Sequence, residues 1–118
     1  MGETIKLEVT TNSGGIGSVS VPVPMRIIYQ VEWDIGTFAA GVDATLSVTG
    51  RNGTSVTLLT LTDANADAVY YPRLVEHDNA AVALTTRTLP LIIGVVTLSI
   101  AQGGDGKTGA LYLHCLEA

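Results

Sequence analysis

The sequence predicts an all-β chain: an antiparallel β-sandwich or jelly-roll-like barrel of about seven or eight strands, with little or no helix. Apolar and polar residues alternate with a period of two along most of it, as in strands with one wet face. Clusters of Gly, Asn, Asp and Ser punctuate the alternating runs, and these are turn signals. No stretch sustains the 3.6-residue apolar period of a helix. A chain of 118 residues has room for one core, so residues 1–118 form a single domain. Charged residues make up 14%, against about 25% in ordinary globular domains. Aromatics are only 5%, which leaves Val, Ile, Leu and Ala as the apolar mass and adds to the β-branched bias.

In residues 4–10, Ile5, Leu7 and Val9 alternate with Thr4, Lys6, Glu8 and Thr10, which makes the first strand. Asn12, Ser13, Gly14 and Gly15 make a turn. Residues 18–24 resume the alternation, but Pro22 and Pro24 suit only an edge strand or a strand end. Residues 26–33 read as a more central strand, and residues 36–41 as a loop. Residues 43–49 alternate again with Leu46 and Val48 inward. Asn52-Gly53 then gives the strongest short-range hairpin signal in the chain, with residues 55–62 as the return arm. A polar loop follows at residues 63–68. Val69, Tyr70 and Tyr71 suggest a short strand that Pro72 ends. Residues 76–88 are compatible with a loop or a weak helical turn. Residues 90–101 and 108–116 are two strands joined by a Gly-rich connection at residues 102–107. The terminal strands are expected to be paired within a sheet or an assembly.

The run from Pro90 through Ile100 is nearly all apolar and uncharged. An unbroken apolar strand implies cover on both faces. A chain this short, without a helix, has little to lay over the second face. The expected cover is another copy or another protein.

Several function classes are disfavoured. Eleven acids against six bases give a net charge of -5, and Lys6, Arg26, Arg51, Arg73, Arg87 and Lys107 are scattered singly. Nucleic-acid binding needs such residues clustered. The only cysteine, Cys115, excludes an intrachain disulfide framework and a cysteine-rich zinc site. The first six residues lack a basic segment followed by an apolar one, so no secretory signal is expected. Met1 and Gly2 superficially match a myristoylation start, but Lys6 occupies the position that needs Ser or Thr. The longest apolar run is too short to span a membrane.

Candidate sites favour no reaction. Gly103 through Thr108 lacks the leading glycine and the following helix of a phosphate-binding loop, so it reads as a hairpin turn. Asp63, Asn65 and Asp67 have the spacing that opens a calcium loop, but Ala68 and Leu74 stand where Gly and Glu are required. The loop reads as solvated and turn-forming, with cation binding left open. Glu76, His77 and Asp78 are too close in sequence to orient one another as base and carboxylate. His114 and Cys115 point to opposite faces of a regular strand and cannot readily share a metal. No cofactor, metal or catalytic residue is expected. Asn52-Gly53-Thr54 matches a glycosylation sequon, yet its turn role suffices. Trp33, Tyr70, Tyr71 and Arg73 are the candidate interface anchors, because Trp, Tyr and Arg are enriched at binding hot spots.

Three segments together carry a family resemblance: the stretch from Tyr70, Tyr71, Pro72 and Arg73 to His77 and Asp78, the hairpin from Ala101 to Gly109, and the alternating amino-terminal strand. Their order resembles small all-β virion proteins of tailed bacteriophages, a group that includes capsid decoration (cement) proteins. The resemblance implies a non-enzymatic part that forms a trimer or similar ring and binds the major capsid protein. Such a part sits on the capsid surface of the virion after assembly in the host bacterial cytoplasm. It extends equally to tail, baseplate and head-tail accessory parts. A small β-module binding sugar or calcium is the remaining alternative.

Overall fold

The alternating runs become nine antiparallel strands in the computed structural model, which describes residues 2–117. They are β1 (Gly2–Thr10), β2 (Gly17–Asp34), β3 (Asp43–Thr49), β4 (Ser55–Leu61), β5 (Ala68–Tyr70), β6 (Leu74–His77), β7 (Ala83–Thr88), β8 (Leu91–Ala101) and β9 (Thr108–Glu117). Seven of them make one sheet in the order β1-β9-β2-β8-β3-β4, with β5 added alongside β2. β6 and β7 form a separate two-stranded ribbon. Among the described residues there is no helix.

The expected strands at residues 18–24 and 26–33 are one continuous strand of 18 residues. The amino-terminal part of β2 pairs with β8, and the part from Arg26 onward pairs with β9. Register shifts at Val23/Arg26 and at Ile28/Gln30 mark bulges. A bulge bends and twists its strand, and these let β2 leave one layer and enter the other. The single sheet thereby folds into a sandwich: β4, β3, β8 and early β2 face β1, β9, late β2 and β5. Pro22 and Pro24 fall where β2 pairs with β8 alone, so their missing N–H groups are tolerated as an edge requires.

Between the layers lie the inward residues of every long strand. Leu7, Ile28, Val31, Val96, Leu98, Leu113 and Cys115 are fully enclosed. Trp33 fills one end, stacked on Phe38 at a centroid distance of 5.8 Å. Its indole N–H donates to the Ala64 carbonyl at 3.0 Å, which satisfies a polar group that would otherwise be costly to bury. Phe38 lies over Gly109, where a Cβ would collide with the ring. Gly94 has φ +135°, and a Cβ there would strike the Thr49 carbonyl oxygen. Both strain and collision oppose any larger residue, so Gly94→Val is expected to cost about 3 kcal/mol or more in chemical denaturation.

At the same end as Trp33, Thr11 knits two turns together. Its buried hydroxyl donates to the Gly104 carbonyl at 2.5 Å and accepts from the Lys107 N–H at 3.0 Å. The β3–β4 hairpin closes through a turn at residues 50–54. Gly53 takes the left-handed conformation there (φ +82°), and Asn52 Oδ1 accepts the Thr54 N–H at 3.0 Å. The terminal strands β1 and β9 pair along their full lengths. Met1 and Ala118 lie outside the described residues, whereas Gly2 and Lys6, the positions weighed for myristoylation, belong to β1.

Residues 76–88 are neither loop nor helical turn. They belong to the β6–β7 hairpin, whose reversal is fixed by Asp78. Its carboxylate accepts the N–H groups of Ala80 and Val82, each at 2.9 Å, and its own N–H donates to the Val82 carbonyl at 3.0 Å. Leu74 packs against the core at the root, but β7 is exposed at every residue. The hairpin is an arm standing off the body, and the molecule is correspondingly elongated at 46 × 31 × 27 Å.

Candidate interaction surface

The apolar run of β8 has its inner face covered by its own chain and its outer face open. Ile92, Val96, Leu98 and Ile100 are buried, whereas Leu91 is 58% exposed, Ile93 57% and Val95 38%. The expectation of two hidden faces is therefore met on one side only within a single chain. Beyond Val95 the outer face turns polar. Thr97 bonds the Ser20 hydroxyl at 2.8 Å, and Ser99 lies between Ser18 and Thr45.

Pairing extends the apolar half into a stripe. Ile27 sits opposite Leu91 on one side and Leu116 on the other, and directly opposed residues share a face. Leu116 is exposed, as is Met25 in the neighbouring bulge. Pro22 lies opposite Val95. The stripe thus crosses three strands where β2 changes layers. Contiguous exposed apolar surface is the kind of feature found at interaction sites. Beside it, a recess of about 350 Å³ opens between the β3–β4 hairpin and the start of β8, lined by Val48, Val56, Leu91 and Ile93 among others.

The four expected anchors separate. Trp33 is 1% exposed and committed to the core; its assignment as an interface anchor is corrected, because an enclosed indole offers no contact area. Tyr70 is half-buried and packs on the core. Tyr71 is 59% exposed, its hydroxyl accepting a hydrogen bond from Gln30 Nε2 at 3.1 Å. Arg73 is exposed at the root of the arm and donates to the Pro72 carbonyl. Tyr71 and Arg73 retain the geometry of anchors. Tyr71→Ala is expected to weaken attachment to a partner more than it lowers the melting temperature, and equal losses in the two would count against the anchor role.

Two of the three loop side chains that suggested a cation, Asn65 and Asp67, are turned to backbone amides. Asn65 Oδ1 accepts from Gly41 N–H, Asp67 Oδ1 from Ile35 N–H, and the Asp63 N–H donates to Asp43 Oδ1. These bonds tie the loop to its neighbours. Among the described residues no group of three His, Cys, Asp or Glu side chains is placed to hold a metal ion.

One alignment escaped sequence reasoning. Thr4 Oγ1 lies 3.0 Å from His114 Nδ1, and His114 Nε2 lies 2.6 Å from Glu32 Oε1. The order resembles nucleophile, base and carboxylate. The three side chains come from β1, β9 and β2, so only strand pairing brings them together, and no local motif announces it. They lie on the outer face of the sheet. The row is a polar cross-strand contact.

Burial pushes the Cys115 thiol up to about 11 from its ordinary 9.0, with nearby Glu3 adding to the rise and Arg26 opposing it. The folded state therefore favours the neutral thiol. This contribution to stability is complete below about pH 9 and fades as pH rises toward 11. Native protein at pH 8 is expected to resist iodoacetamide, with alkylation appearing only on unfolding in guanidinium.

Comparison with protein-family models, curated proteins and solved structures gave no match.

Proposed function

We propose that the chain is a non-enzymatic assembly component, and that its setting is the virion of a tailed bacteriophage, as a decoration protein on the outer capsid surface. The observation that carries the assembly reading is the contiguous apolar stripe in which half-buried Ile27 joins exposed Leu91, Ile93, Val95 and Leu116. Burying such residues contributes roughly 1.5–3 kcal/mol each, so a complementary surface gains substantially by covering them. The rigid antiparallel body, with its turns bonded to one another, suits a part that must hold shape under load. The sequence resemblance supplies the phage setting and the major capsid protein as partner.

The test is electron microscopy of virions purified with and without the protein. Regular added density on the outer shell, with heads that rupture at lower temperature in its absence, is the expected result. Density confined to the tail or baseplate would overturn the capsid placement, and a particle-free protein would overturn the virion setting.

A further inference from the structure

The two end strands of the main sheet, β1 and β4, are not alike as edges. β1 carries Glu3, Lys6 and Glu8 along its length, the charges by which natural edges resist strand addition. β4 (Ser55–Leu61) has seven residues with no charge and no proline, so its outer rim of N–H and C=O groups is unguarded. The apolar recess formed in part by Val48, Val56 and Leu91 adjoins that edge.

The arm has the complementary features. A two-stranded ribbon is marginal on its own, yet β7 is exposed throughout and its outer rim is likewise unpaired. From Asn79 to Thr86 the arm bears no charge. Val82, in the turn just before β7, is 58% exposed, and Leu84 within β7 is 42% exposed. The six residues of β7 nearly match the seven of β4. Arg87 makes no ion pair among the described residues. A parallel addition would carry it toward Asp63 beyond the end of β4, whereas an antiparallel one would carry it toward Arg51.

We propose that β7 of one copy adds to the β4 edge of a second copy, seating Val82 and Leu84 against the recess lined by Val48, Val56 and Leu91. The inference rests on the assembly reading and names its self-contact. The second copy is the occupant because one chain supplies both halves: an unguarded edge beside an apolar recess, and a free strand of matching length with exposed apolar residues at its start. Main-chain bonds give affinity in such additions, and alternate side chains in pockets give specificity. Arm and edge are different patches, so the contact is heterologous and generates a ring where its rotation closes.

The experiment uses two full-length variants that each remove one half. Val82→Asp with Leu84→Asp spoils the arm, and Val56→Asp spoils the edge; all three positions are exposed, so melting temperatures should be nearly unchanged. Native mass spectrometry of each variant alone should show the 12.3 kDa monomer. An equimolar mixture should form a one-to-one heterodimer, because the edge variant donates an intact arm and the arm variant an intact edge. A mixture that stays monomeric overturns the arm-to-edge pairing. Assembly that persists in both variants also overturns it, while leaving the assembly reading in place; a monomeric wild type overturns the self-contact, whereas the assembly reading falls only if the protein is absent from the particle.

Discussion

Trp33→Ala is expected to cost about 3–5 kcal/mol of folding stability, near the upper end for single substitutions in a core. The indole is 1% exposed and stacks on Phe38, and its N–H is held by the Ala64 carbonyl. Its loss leaves a cavity, an unpaired carbonyl and a Phe38 ring without its neighbour, all at the end where four connections meet. Guanidinium unfolding followed by circular dichroism measures the change. Trp33→Phe retains much of the volume but not the donor, and should lose less. A loss below about 1 kcal/mol for the alanine variant would mean that Trp33 does not organise that end of the core.

Leu91→Asp combined with Ile93→Asp is expected to abolish association while leaving the fold intact. Both side chains point away from the core and are more than half exposed, so the isolated chain loses little. In an interface each would forgo roughly 1.5–3 kcal/mol of burial and place an uncompensated carboxylate in apolar surroundings. The combined effect is about 3–6 kcal/mol, or between a hundredfold and ten-thousandfold in affinity. Sedimentation velocity against the unmodified protein provides the comparison. Association unchanged in the double variant would remove the stripe from the interface.

Much of the fold was legible because it follows from local chemistry. Period-two alternation located β3 to the residue, and the apolar run with the Gly-rich connection after it located β8 and β9 to within one residue. Asn52 and Gly53 identified the β3–β4 turn through the φ that only glycine accepts readily. What escaped depends on partners distant in sequence. The bulges near Pro24 and Tyr29 join two apparent strands into one, and bulges answer to the strands on either side. The arm escaped because residues 79–86 are exposed throughout and hold only Val82 and Leu84 as large apolar residues, too short a pattern to betray a strand. Trp33 looked like an anchor by type, but its place in the core is set by Phe38 and the Ala64 carbonyl. The Thr4, His114 and Glu32 row is a product of register alone.

The surface was half legible in the same sense. An apolar run at residues 90–100 signalled excess apolar area, yet it could not show that only Leu91, Ile93 and Val95 remain uncovered. Nor could it show that Ile27 and Leu116, far away in sequence, widen the same stripe.

The mass of the unmodified protein in solution, by light scattering across the micromolar range, bears most directly on whether that surface is meant for another molecule of the assembly. A defined multiple of 12.3 kDa, with a trimer or similar closed ring foremost, is the predicted result. A stable monomer at every concentration, binding no hydrophobic dye, would contradict it.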